Sequence, residues 1–124
     1  MKFCEMVEIL KQKFPEILHS KKYLEQADFY ELFNETPYVI FEDVFSTFII
    51  EKICEKDKKM LHRIFSFIEE MASSDDIEVR NLAQVGLLEA LWCDKRTHKI
   101  SVKYMYPNTR MLYENCSMYF DVPK

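Results

Sequence analysis

The stretch Pro37-Tyr38-Val39-Ile40-Phe41-Glu42-Asp43-Val44-Phe45-Ser46-Thr47-Phe48-Ile49-Ile50-Glu51-Lys52-Ile53-Cys54-Glu55 decides the fold. Phe41, Val44, Phe45, Phe48, Ile49 and Ile53 recur at helical spacing, and Glu42, Asp43, Ser46, Thr47 and Glu51 leave only a narrow polar strip. Aromatic and β-branched side chains also suit strands, but a run this long at a 3.6-residue period favours a helix. A helix so apolar must be packed on more than one side, which places it at the centre of the fold. Thr36 reads as its N-cap and Pro37 as its first helical residue.

Working towards the N-terminus, residues 26–36 read as a helix fragment and a turn. Pro15 opens a short helix through Ile17, Leu18 and Leu24, and residues 2–14 carry Phe3, Met6, Val7, Ile9, Leu10 and Phe14 on one helical face. In the other direction, a charged connection from Glu55 to Lys59 leads to a helix over 59–72 with Met60, Leu61, Ile64, Phe65, Phe67, Ile68 and Met71 inward. Ser73-Ser74-Asp75-Asp76 breaks that pattern, and Asp75 with Glu78 has the offset of a capping box. Ile77, Val79, Leu82, Ala83, Val85, Leu88, Leu91 and Trp92 continue as a helix to about residue 92. A basic connector follows, then an apolar fragment with Val102, Tyr104 and Met105. Pro107 opens a last helix bearing Met111, Leu112, Cys116, Tyr119 and Phe120. No hairpin signal occurs. The pattern predicts an all-α fold: one domain over 1–124, a compact bundle of about five to seven helices, with an antiparallel helical hairpin at 59–92.

Composition narrows the function classes. The chain is 48% hydrophobic, far above a disordered composition, and at 124 residues it can bury a core without staples. It holds one glycine, Gly86, inside a helical pattern, which excludes glycine-rich phosphate loops and dinucleotide fingerprints. The formal charge of −4 is uneven: residues 1–78 carry 10 basic and 17 acidic side chains, and residues 79–124 carry 7 and 4. The larger part would repel a phosphate backbone, so no nucleic-acid partner is expected. Cys4, Cys54, Cys93 and Cys116 lack the spacing of a zinc or redox motif and read as core filler in a reduced, cytoplasmic protein. The N-terminus reaches Glu5 before any apolar run, unlike a signal peptide, and no uncharged apolar stretch approaches the length of a membrane span.

Catalytic chemistry finds little support. The only histidines are His19, His62 and His98. Glu16 and His19 have the Glu-x-x-His spacing of di-iron bundles, but that motif needs a second copy and two more glutamates, so the two read as a surface pair. His98 reads as part of a solvated loop with Lys95, Arg96, Lys99 and Lys103. Ser73 and Ser74 read as caps. We expect no enzyme, no metal, no cofactor and no small-molecule ligand.

What remains is an acidic, aromatic segment. From Tyr23 to Glu51 there are seven carboxylates and eight aromatics without one Lys or Arg. Phe41, Phe45 and Phe48 belong to the core by their spacing, as do Phe29 and Phe33. Glu25, Asp28, Glu31, Glu35, Glu42 and Asp43, with Tyr30 and Tyr38 as anchors, are then the candidate partner-binding residues. Carboxylates attract a basic partner at long range, and aromatic side chains supply contact area at low entropic cost. A charge run is often only a solvated face, although surface helices usually mix signs at i, i+4.

Two resemblances bear on these readings. Asp76-Ile77-Glu78-Val79-Arg80-Asn81-Leu82-Ala83 resembles the segment that opens the second helix of a HEAT repeat, with no second copy at a 40-residue period. Lys13-Phe14-Pro15-Glu16, the block from Pro37 to Phe45, Phe67 to Ala72 with Glu78 to Leu82 and Leu88-Glu89, and Lys103-Tyr104-Met105 with Pro107-Asn108-Thr109 together resemble a family of small, all-helical bacterial immunity proteins of polymorphic and contact-dependent toxin systems. That resemblance spans nearly the whole chain and implies a cytoplasmic inhibitor of one cognate toxin, a protein with a basic surface. It transfers no binding residue. Many such toxins are nucleases, whose basic cleft an acidic inhibitor could fill in place of phosphates. The alternative is a HEAT-like adaptor or regulatory module that inhibits nothing.

Overall fold

A computed structural model of the chain describes residues 1–27 and 36–119. All regular structure among these residues is helical. A 3₁₀ turn (Phe3–Glu5) leads into α1 (Met6–Lys13), a second 3₁₀ turn (Pro15–His19) and α2 (Lys21–Glu25). The central helix α3 runs through Pro37–Val39, a π-helical stretch Ile40–Phe45, and Ser46–Glu55. Next come α4 (Lys58–Ala72) and α5, which passes through Ile77–Ala83, a π-helical stretch Gln84–Leu88, and Glu89–Cys93. Finally α6 (His98–Tyr104) and α7 (Pro107–Asn115) lead into a 3₁₀ turn, Cys116–Met118.

α3 holds the middle as its apolar pattern predicts. Phe41, Val44, Phe45, Phe48, Ile49 and Ile53 are all buried. The ring of Phe45 meets those of Phe14, Phe41 and Phe67 at centroid distances of 5.4, 5.6 and 6.1 Å, so aromatic packing ties the 3₁₀ turn at Pro15 and α4 to α3. A second knot joins the other end of the bundle. Trp92 of α5 packs edge-on against Tyr113 of α7 and His98 of α6, at 5.0 and 5.3 Å.

The connections show why the helices stop where they do. At the end of α3, Lys56 adopts a left-handed conformation with φ 59°. Its N–H donates to the Ile53 carbonyl and that of Asp57 to the Lys52 carbonyl, a Schellman closure with lysine in the place glycine usually takes. Asp57 then caps α4 by accepting from the Met60 N–H at 3.1 Å. At the next turn the capping residue is Asp76, and the expected Asp75–Glu78 box does not form. Asp76 Oδ1 accepts from the Glu78 N–H and Oδ2 from the Phe3 N–H, fastening the N-terminal turn to α5. The N-terminus of α7 is capped from another helix: Glu69 of α4 accepts from the Thr109 N–H, the Thr109 hydroxyl and the Asn108 amide.

The π-helical stretches of α3 and α5 face each other, and Gly86 lies at their contact. A Cβ there would stand 3.5 Å from Phe41 Cβ and 3.0 Å from Leu82 Cδ1. The single glycine of the chain therefore marks a close helix–helix approach. Each π turn holds an extra residue and turns the following side chains away from a 3.6-residue register. Val85, predicted inward, lies within the π turn of α5 and is 39% exposed; Ile77, also predicted inward, lies ahead of that turn and is 60% exposed, while Leu88, Leu91 and Trp92 are buried as predicted.

Other expectations need correction. Cys4, Cys54 and Cys93 are exposed, and only Cys116 is buried, where desolvation pushes its thiol up to about 12. Glu16 pairs with Arg63 at 2.8 Å, not with His19. His98 is half-buried at the start of α6 and does not belong to a solvated loop. Its Nδ1 lies 2.6 Å from the Tyr113 hydroxyl, which burial keeps protonated and able to donate. Met111 and Tyr119 are exposed. The helix fragment expected within 26–36 lies mostly outside the described residues, as does Phe120.

Candidate functional site

Of the predicted binding residues, Glu25, Tyr38, Glu42 and Asp43 are described; Asp28, Tyr30, Glu31 and Glu35 lie outside the described residues. Glu25 is exposed on α2 and pairs with Lys21 at 3.7 Å, so a cation just upstream of the acidic segment offsets it. Tyr38 is half-buried and packs against Phe3 with ring centroids 5.7 Å apart. Burial, then the charges of Glu78 and Glu42, push its hydroxyl above the ordinary tyrosine value.

Glu42 and Asp43 sit on the π turn of α3, where the backbone faces the π turn of α5. The result is a groove of about 290 Å³ lined by Glu42, Val85, Glu89, Ala90 and Cys93. Its carboxylates come from two helices 47 positions apart in the chain (Glu42 and Glu89), and Val85 and Ala90 supply an apolar floor. Burial, then the charge of Asp43, raises the Glu42 carboxyl above its ordinary range; burial, then the charge of Glu42, does the same for Glu89. Among the described residues no Lys, Arg or His pairs with Glu42, Asp43, Glu78 or Glu89.

A second groove, of about 440 Å³, is lined by Thr47, Ile50, Glu51, Cys54 and Glu55 of α3 and by Arg96 beyond α5. Here the charges are closer to balance. Lys52 reaches Glu55 at 3.0 Å, and Arg96 is paired with Asp94 at 2.8 Å. Arg96, predicted as part of a basic connector, is thus spent on its own loop.

The sequence pointed to Glu42 and Asp43 but missed Glu89, Glu78 and the apolar floor. A signal for Glu89 existed: it follows the lone glycine by three positions and so lies just beyond the point of closest helix approach. Chemically, the site can attract and hold a cation. Among the described residues no hydrogen bond joins the Cys93 thiol to either carboxylate, and no group of three or more His, Cys, Asp or Glu is placed to hold a metal ion. No helix among those residues is long and apolar enough to cross a membrane.

Fold and groove together define a small all-helical protein whose two longest helical runs present an acidic, apolar-floored surface. The chain belongs to the family described as Domain of unknown function (DUF7674), which matches residues 7–120. No curated protein and no solved structure matches it.

Proposed function

We propose that this chain is an inhibitory binding protein, an immunity protein that neutralises one cognate toxin by covering a basic cleft with its acidic face. The observation that carries the reading is the groove between α3 and α5, where burial and the charge of Asp43 make Glu42 costlier to ionise, burial and the charge of Glu42 do the same for Glu89, and no cation among the described residues pairs with either. Carboxylates held this way are poised for a cation from outside, because a partner's positive charge would relieve a repulsion already present. The resemblance to small helical immunity proteins supports the same reading. A nuclease is the proposed toxin, since its substrate cleft must be basic, and the cytoplasm is the proposed location.

A second reading is a HEAT-like adaptor without inhibitory action. It draws on the α4–α5 hairpin, where Arg80 of the HEAT-like segment donates to the Ser74 carbonyl across the turn that Asp76 caps. The two readings part in cells. The C-terminal domain encoded by the adjacent open reading frame is expressed with and without this chain, and survivors are counted. Rescue together with a co-purifying complex is the expected result. No toxicity, or toxicity without rescue, would favour the adaptor.

A further inference from the structure

The groove between α3 and α5 has the form of a receptacle for one extended side chain. Its floor is apolar, from Val85 and Ala90 of α5, and its polar groups are a carboxylate from each helix, Glu42 and Glu89. At about 290 Å³ it is too small for a folded element and large enough for a single long side chain. Glu42 is exposed and Glu89 half-buried.

We propose that this groove receives a single lysine or arginine side chain of the protein partner, its methylenes on Val85 and Ala90 and its cationic head between Glu42 and Glu89. This deepens the acidic-face reading above and rests on it. Charge complementarity selects the occupant. An apolar side chain would leave the repulsion between the two carboxylates in place, and an acidic one would add to it. A long cation satisfies both parts of the groove, since lysine and arginine bury an aliphatic stem while keeping a charged head among polar groups. The neighbouring groove is a poorer receptacle because Arg96 already lines it.

The test uses the full chain and the pentapeptide acetyl-Gly-Gly-Lys-Gly-Gly-amide, with arginine and norleucine versions, followed by NMR at the Val85 and Ala90 methyl groups. Saturable shifts at both residues are expected for the lysine or arginine peptide, with little response to norleucine. Glu42→Gln and Glu89→Gln, each isosteric with the native side chain, should each weaken the cationic peptide at least several-fold. Comparing lysine with arginine shows which head group is preferred. Saturable shifts confined to residues around Glu51 and Glu55 would overturn the receptacle while leaving an acidic docking face in place. No saturable shift anywhere would count against both.

Discussion

α4 and the seam between α3 and α5 carry charge in opposite ways. On the α4 face the charges are settled. Arg63 donates to Glu16 and to the Lys13 carbonyl, Lys13 reaches Glu70, and the two cations lie over the rings of Phe14 and Phe67 at 5.3 and 5.5 Å. Lys13, Phe14, Arg63, Phe67 and Glu70 line a hollow of about 420 Å³ that is larger than the acidic groove, yet its cations already have partners. Across the α3–α5 seam, Glu42 and Glu89 share a groove, and among the described residues neither has an ion-pair partner. Settled charge belongs to stability, and unsettled charge is available to a partner. Cavity size alone would not have chosen the acidic groove, since the hollows of about 420 and 440 Å³ are both larger.

The strongest way to break this contrast is charge reversal. Glu42→Lys with Glu89→Lys is expected to reduce affinity for the proposed toxin at least 100-fold and abolish rescue in cells, because close interfacial charge pairs are worth several kcal/mol. Lys13→Glu with Arg63→Glu should keep rescue and lower the melting temperature instead. Rescue retained by the first pair, or lost in a still-folded second pair, would reverse the assignment of the two faces.

Glu69→Ala tests how much the settled region contributes. Losing the cap on α7 should cost about 1–2 kcal/mol in denaturant unfolding, with no change in binding. Burial opposes ionisation of Glu69, but the hydrogen bonds from Thr109 and Asn108 outweigh it and hold the carboxyl below its ordinary range. Its stabilisation is therefore present above the ordinary carboxylate range and is lost as pH falls through the depressed value. The difference between wild type and Glu69→Ala should shrink in acid, and an unchanged gap would contradict this account of the cap.

Glu16→Gln is expected to cost under about 1 kcal/mol, since the Arg63 pair is partly exposed and screened. The smallest effect has the opposite sign. Glu89 is raised in the folded protein, so its contribution is most favourable below the ordinary carboxylate range and is lost as pH rises through the raised value. Glu89→Gln should then stabilise the free chain by a few tenths of a kcal/mol, roughly the size of one like-charge pair on a helix surface, at pH 7 but not at pH 4. Destabilisation at pH 7 would mean that Glu89 is settled after all.

Much of this was legible in the sequence, for physical reasons. The central helix could be read because burial on several sides leaves a dense apolar pattern, and the boundaries near Pro37, Pro107 and Ser73 follow from local backbone preferences. The site was only half legible. Glu42 and Asp43 stood out within a local acidic run, whereas Glu89 joins them through tertiary packing that no local pattern encodes. The π turns were hidden as well, because reading at 3.6 residues per turn has no place for an extra residue; Val85, assigned to the core, lies within one of them. His98 illustrates the same limit, since its basic neighbours suggested solvent while its ring packs against Trp92 and Tyr113 from two other helices.

The most direct measurement is the affinity of the purified chain for the proposed toxin, the C-terminal domain encoded by the adjacent open reading frame, taken across a range of ionic strength for wild type and for Glu42→Gln with Glu89→Gln. The wild type should bind with a marked loss of affinity as salt rises, and the double variant should bind at least tenfold more weakly with a flatter salt dependence. Equal affinity and equal salt slopes for the two proteins would contradict the central claim that the α3–α5 seam is the docking surface.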